Sequence, residues 1–166
     1  GKYIAFLDAD DTWSLDKLQS QILFMKQNNC KASHTSYYIV DRNKNIIGQR
    51  RARDFLSITD IIKSCDIGLS TVILEKNIII DNKIKFPELI TKEDFVFWLM
   101  ILKKNYKFYA QDNYLTNWTD LENSLSSSTI QKLKDGFKVY NQYMNFNIIK
   151  SLYYLICLSI NYLKKK

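Results

Sequence analysis

Gly1-Lys2-Tyr3-Ile4-Ala5-Phe6-Leu7-Asp8-Ala9-Asp10-Asp11-Thr12-Trp13 opens the chain, and the rest of the sequence is organised around it. Tyr3 to Leu7 is a short apolar run with aromatic and β-branched members, bounded by acids. It reads as a buried strand of a parallel sheet covered on both faces. Three carboxylates, Asp8, Asp10 and Asp11, follow at once. In open α/β sheets, ligands bind just beyond the carboxyl ends of strands. Crowded acids keep high pKa values unless a cation joins them, and hard divalent ions take oxygen ligands that they often share with substrate phosphates. The stretch therefore reads as a metal–diphosphate site. An isolated Asp-x-Asp is usually a solvated turn, but the apolar strand directly before this one favours a site.

Two families share features with this stretch. Asp8-Ala9-Asp10-Asp11-Thr12 satisfies the Asp-x-Asp-x-Thr pattern of haloacid-dehalogenase-type phosphatases, in which the first Asp is a nucleophile. The second acidic motif of that family, commonly Gly-Asp-x-x-x-Asp, does not occur in this chain. The longer string, continued by Trp13, Lys17-Leu18 and Gln21, resembles family 2 glycosyltransferases of the GT-A fold. The resemblance extends through Ser33-His34-Thr35-Ser36-Tyr37, Ser70-Thr71-Val72, Lys92-Glu93-Asp94-Phe95 with Trp98-Leu99, and Asn123-Ser124-Leu125-Ser126. It implies an α/β fold: a partial, Rossmann-like GT-A nucleotide-sugar transferase domain with C-terminal helices. Residues 1–128 would be the C-terminal portion of the transferase domain and 129–166 a helical extension. In that family a nucleotide-binding half precedes the Asp-x-Asp strand, so the sequence looks like the later part of a longer protein. A truncated, non-catalytic remnant or binding module is the alternative reading, and the phosphatase is a second one.

The resemblance also implies site residues and chemistry. Asp10, with Asp8, would hold Mn²⁺ or Mg²⁺ on the diphosphate of a nucleotide-sugar, a UDP-sugar by expectation. Asp8, Asp11, Trp13, Ser70 and Thr71 would border the substrate. From composition alone, Glu93 and Asp94 are ordinary first-turn acids, stabilised by a helix N-terminus. The resemblance makes Asp94 the catalytic base and Glu93 its orienting neighbour. An inverting displacement needs such a carboxylate to take the acceptor hydroxyl's proton, while the metal offsets charge on the leaving diphosphate. Family members often carry an aromatic–Arg pair where this chain has Asn117-Trp118-Thr119-Asp120.

With 166 residues, 46% hydrophobic and 14% aromatic, the chain can bury a core. Four glycines leave little room for a phosphate loop, and neither a Walker A nor a G-x-G-x-x-G pattern is present. Cys30, Cys65 and Cys157 form neither a disulfide framework nor a metal motif, as expected of reduced thiols in the cytoplasm. The net charge of +7 includes the run Arg50-Arg51-Ala52-Arg53. A charge run is usually solvated, though this one could meet acceptor phosphates or anionic lipid. It lacks the interleaved aromatics of single-strand nucleic-acid binders, which argues against nucleic acid as a partner.

Further along, Ser14 reads as the N-cap of a helix running to about Asn28, and Trp13 and Lys17 as neighbours of the donor pocket or simple packing residues. Ala32–Val40 reads as a strand with a short partner at Ile46-Ile47. The lone His34 is structural on the odds. Ile67 to Leu74 reads as a glycine turn and a strand, Tyr106–Tyr109 and Tyr114–Trp118 as two short strands, and 129–146 as one amphipathic helix. The run 147–166 is interrupted by Lys150, Ser151, Ser159 and Asn161, which disfavours a span. Its tyrosines and closing lysines suit a helix lying on an anionic membrane surface, on the inner, cytoplasmic face, where a glycan or lipid-linked acceptor would be met.

Overall fold

A computed structural model describes residues 1–121 and 128–164. The resemblance at Asn123-Ser124-Leu125-Ser126 and the lysines at 165–166 therefore lie outside the described residues. Six strands form one mixed sheet in the order β1-β5-β3-β6-β2, with β4 on β3. They are β1 (Tyr3–Ala5), β2 (Thr12–Trp13), β3 (Ala32–Val40), β4 (Ile46–Arg50), β5 (Ile73–Glu75) and β6 (Tyr109–Thr119).

β1 corrects the expectation of a parallel sheet. It pairs antiparallel with β5, as Ile4 opposite Leu74, and β3 pairs antiparallel with the other side of β5. Only β3 and β6 run parallel, Val40 facing Thr119. The consequence is that β1, β3 and β6 point the same way, so their carboxyl ends share one rim. The chain leaves β1 at one edge, crosses that rim over residues 6–11, and re-enters as β2 at the opposite edge, paired with β6.

Helix α1 (Lys17–Gln27) covers one face of the sheet, packing Ile22 and Met25 around Ile73, Cys30 and Tyr109. It begins later than expected. Ser14 does not cap it, because its N–H donates to Leu115 O (3.1 Å) and ties β2 to β6. α4 (Glu93–Lys103) covers the other face. Phe95 through Leu99, Ile101 and Leu102 are all buried, so this helix is apolar on every side and runs through the core. Trp98 meets Phe6, Phe97 and Phe108 edge-on, with ring centroids 5.3–5.8 Å apart. Such edge contacts add to simple area burial. α2 (Ile58–Ile61), a 3-10 turn at Leu69–Thr71 and α3 (Lys76–Asn82) fill the connections.

The predicted strands at 106–109 and 114–118 are one strand, β6. Its register on β3 slips between Thr35↔Gln111 and Ser36↔Tyr114, a bulge that sets Asp112 out of the ladder. The single helix expected over 129–146 is instead α5 (Thr129–Lys138) followed by a π turn at Val139–Tyr143. α6 (Ile148–Leu163) is capped by Asn147, which accepts from Lys150 N–H (2.9 Å). Gly136 admits α6 closely: a Cβ there would stand 2.8 Å from Leu155 Cδ1. Buried Asp135 on α5 accepts from the N–H and hydroxyl of Thr91 (3.0 and 3.1 Å) and from Gln131 (2.9 Å). Burial raises such a carboxyl, but these bonds outweigh it and hold Asp135 below its usual pKa.

Candidate active site

The acids of the rim divide by burial. Asp10 is exposed and Asp8 half-buried, whereas Asp11 is buried, 6% exposed. Asp11 turns inward because its Oδ1 accepts the N–H of Thr119 at the end of β6 (2.9 Å). Thr119 returns a second bond, its hydroxyl donating to Asp10 O (2.6 Å). From beneath, Ser70 Oγ accepts the Asp8 N–H (3.0 Å), while Ser70 O accepts from the Trp13 indole (2.7 Å). The turn is thus fastened to β6 and to the 3-10 turn, leaving the Asp8 and Asp10 side chains outward.

Ser70 and Thr71 sit 2% exposed, below the turn rather than on its surface. The Thr71 hydroxyl donates to Gly68 O (2.6 Å), and Thr71 O accepts from Gln21 (3.0 Å). Lys17 is wholly buried beside them, donating to Gln21 Oε1 (2.6 Å) under the Trp13 ring. Burial drops its pKa to about 7.

Across the rim, Glu93 and Asp94 open α4. The residue before them, Lys92, takes a left-handed conformation (φ 69°), which turns the chain into the helix. Asp94 Oδ1 accepts the Phe95 N–H (2.6 Å), so the carboxylate is held over the first turn. Its pKa rises to about 6, chiefly from burial and then from the charge of Glu93. Asp8 is also raised, by burial first and then by Asp10 and Glu93. The two acidic motifs, 83 residues apart in sequence by their numbering, are therefore one electrostatic cluster. Asp11 is raised by its burial, against the Thr119 bond, and its Oδ2 is buried without a partner among the described residues.

These features suit a divalent cation. Asp8 and Asp10 offer hard oxygen donors at the surface of a cluster whose members disfavour one another's charge. Among the described residues no group of three or more His, Cys, Asp or Glu is arranged as a metal cage. A cation here would complete its shell from a ligand's oxygens, as Mg²⁺ does with substrate phosphates.

Tyr37 on β3 is a site residue that the sequence reading did not single out. It lines a small hollow with Asp11, Ser70 and Thr71. Its phenol, pushed up to about 12 by burial, lies within electrostatic reach of Asp94 and Asp11 on one side and Arg50 on the other. The available signal was the run Ser33-His34-Thr35-Ser36: four polar residues in succession within a strand imply a buried hydrogen-bonding network. His34 is buried there, bonded to Arg53 O (2.8 Å) and packed on Phe55, away from the acids.

Residues 1–84 match the model of "Glycosyl transferase family 2". An Escherichia coli UDP-Glc:alpha-D-GlcNAc-diphosphoundecaprenol beta-1,3-glucosyltransferase is 33% identical over 157 residues, covering 94% of this chain and 60% of the relative. A Bacillus subtilis protein named as a teichuronic acid biosynthesis glycosyltransferase is 29% identical over 167 residues, 100% of this chain and 66% of its own. The chain thus spans 60–66% of the length of these two relatives. The crystal structure of S. aureus TarS 1-349 in complex with UDP-GlcNAc superposes with a TM-score of 0.66 at 18% identity, over 93% of this chain and 47% of that one. That likeness concerns the fold.

Proposed function

Because the chain belongs to glycosyl transferase family 2, we propose that it moves a sugar from a nucleotide-diphosphate donor to an acceptor hydroxyl with inversion. The observation that carries this reading is the joining of the Asp8–Asp10 rim to Glu93–Asp94 in one acidic cluster. Inverting transfer needs two carboxylate functions on opposite sides of the reacting sugar, and the rim supplies two groups of acids. Asp10 and Asp8 would hold Mn²⁺ or Mg²⁺, which, when bound, offsets the charge of the departing diphosphate. Asp94 is the base: a carboxylate raised to about 6 remains ionised at neutral pH and takes a proton more readily than an ordinary one. Glu93 keeps that pKa high. Trp13, Asp11, Ser70 and Thr71 border the donor by shaping and supporting the turn that carries the metal-binding pair.

A UDP-sugar is the donor we favour, supported by the UDP-GlcNAc complex of the structural relative and the UDP-glucose named for the E. coli relative. The latter also supports a lipid-linked acceptor. We assign 1–128 to the transferase unit and 129–166 to an extension packed on it. Ile149, Leu152, Tyr153, Ile156, Ile160 and Leu163 are exposed on α6 at three-, four- and seven-residue spacings, forming an apolar stripe along its outer face. No described helix is long and apolar enough to cross a membrane. The stripe supports a helix lying on an anionic membrane surface at the cytoplasmic face. Cosedimentation with phosphatidylglycerol vesicles should fall when Ile156 becomes Lys, and an unchanged bound fraction would sink the surface assignment.

The decisive test is calorimetric titration of UDP with and without Mn²⁺, on the chain and on Asp10→Ala. Binding that requires Mn²⁺ and is lost in the variant is expected. Metal-independent binding of UDP, or Mn²⁺-dependent binding that survives the substitution, would remove Asp10 from the metal site and leave the binding-module alternative. Phosphatase activity abolished by Asp8→Asn would instead favour an aspartyl nucleophile.

A further inference from the structure

A second hollow of about 180 Å³ lies on the other side of Tyr37. Arg50, Arg51, Arg53 and Phe55 line it, with Asp66 as the one carboxylate among its walls. The basic run of the sequence is solvent-exposed, with the Arg51 and Arg53 side chains 76% and 60% exposed, yet its arginines gather around this hollow. Each arginine is placed by a different device. Arg50 ends β4 directly opposite Tyr37 in the ladder. Arg51 presents Nε (2.8 Å) and Nη2 to Asp112 Oδ2, the acid that the β6 bulge sets out of the sheet. Ser36 fixes that arrangement: its hydroxyl donates to Asp112 (3.0 Å) and accepts from Ala52 N–H (2.9 Å). Arg53 lies over the Phe55 ring and reaches Asp66 (3.0 Å) and Asp60 O (3.2 Å) through one terminal nitrogen.

A guanidinium carries five N–H donors in a planar fork. The bonds of Arg51 and Arg53 leave donors over on both, held in fixed orientations by their anchoring acids. Three such groups against two paired carboxylates, Asp66 and Asp112, leave a surplus of positive charge and spare donors for an oxyanion, and arginine forks match phosphate geometry. The space accommodates on the order of six waters at about 30 Å³ each, enough for a diphosphate.

Tyr37 makes this cavity more than a basic patch, because it lines both this hollow and the one containing Asp11, Ser70 and Thr71. Asp94 lines neither hollow but lies within electrostatic reach of the same phenol, so a ligand with its phosphates among the arginines and a hydroxyl toward Asp94 would cross that ring. A sugar 1-diphosphate has this form: its reactive hydroxyl and its anionic group stand one pyranose ring apart. We propose that the Arg50–Arg53 cavity binds the diphosphate of a sugar-diphosphate acceptor and so delivers the acceptor hydroxyl to the acidic rim. This rests on the transferase reading above and adds to it the class of acceptor.

The test separates the two readings by metal. Inorganic pyrophosphate is titrated calorimetrically into the full chain in EDTA, without nucleotide. Binding is expected, and should weaken about tenfold or more in Arg50→Gln/Arg51→Gln, while Arg42→Gln, outside the cavity, leaves it unchanged. Arg53→Lys, which keeps the charge but loses the fork, should weaken it less and serves if the double variant loses its circular-dichroism spectrum. No binding in EDTA, or equal binding by all variants, overturns the proposal. In transfer assays, the double variant should raise KM for a soluble glycosyl diphosphate and for its prenyl-linked form equally, and leave a neutral alkyl glycoside unaffected. A rise for the prenyl form alone would mean that the arginines meet the lipid assembly and not the diphosphate, and would overturn the assignment. Pyrophosphate binding that depends on the arginines, in a chain showing no Mn²⁺-dependent UDP binding, upholds the anion site and faults the transferase reading.

Discussion

On the two sides of Tyr37 the same sheet builds opposite environments. Toward the carboxyl ends of β1, β3 and β6 stand five acids, Asp8, Asp10, Asp11, Glu93 and Asp94, and burial first, then their proximity, raises Asp8 and Asp94. Toward β4 and the segment after it stand three arginines, two of them anchored by acids. The difference lies in how charge is satisfied. Arg51 and Arg53 are oriented by protein carboxylates and keep donors to spare, whereas among the described residues no ion pair includes a rim acid, and only Asp11 and Asp94 accept backbone N–H groups. The rim thus has charge left for a cation or a proton, the arginine side for an anion.

The largest effect that would sharpen this contrast is on turnover. Asp94→Asn keeps the shape and removes the proposed base, and should cut kcat by about 10²–10⁴-fold while Mn²⁺–UDP affinity stays within a factor of about two. A variant with near-normal kcat would place the base elsewhere, with Glu93 the next candidate. In the unsubstituted protein, kcat/KM should fall as pH drops through about 6, where Asp94 takes up its proton.

The arginine side responds to acid with its own sign. His34, whose ring lies on Phe55 under the cavity, is lowered from 6.5 to about 4 by burial. Its native form stays neutral while the unfolded chain binds a proton below 6.5, so its contribution to stability is lost as pH falls from 6.5 toward 4, on the order of 3 kcal/mol. Asp94 runs oppositely: its raised pKa favours the native state in acid and loses that advantage as pH rises through about 6. Urea midpoints measured at pH 4 and pH 7 should therefore differ less for His34→Gln than for the unsubstituted protein. An equal difference in both proteins would mean that His34 titrates alike in its folded and unfolded states.

The smallest effect separates neighbours. Asp11→Ala leaves the buried Thr119 N–H without its acceptor and should cost about 1–3 kcal/mol in urea denaturation. Asp10→Ala, at an exposed side chain, should stay within about 0.5 kcal/mol. Equal costs would erase the distinction between inward and outward acids.

Much of the local structure was legible. The Ala32–Val40 strand, the apolar helix from Glu93 and the acidic turn after Leu7 all follow from pattern and composition. The sheet's handedness of pairing was not. An apolar run such as Tyr3–Leu7 serves a parallel or an antiparallel neighbour equally well, and β1's neighbour, Ile73–Glu75, lies some seventy residues away. Residue types marked the acids as a site, but not that Asp11 turns inward, because the Thr119 N–H that draws it comes from the far end of β6. The arginine cavity escaped for the same reason. Its geometry depends on a two-residue slip in β6 that places Asp112 beside Arg51, and nothing in the local sequence announces that slip.

Asp135 has one more consequence. It grips Thr91, and one residue later the backbone bends at Lys92 into the helix that carries Glu93 and Asp94. α5 in turn meets α6 where Gly136 lies beneath Leu155. α6, α5 and the turn that leads into Glu93 and Asp94 are thus joined in series, by packing at Gly136 and by the Asp135–Thr91 bonds. The N-terminal end of α4 is therefore braced by a helix that lies outside the acidic rim, so loosening Asp135 should displace Glu93 and Asp94 as well as Thr91.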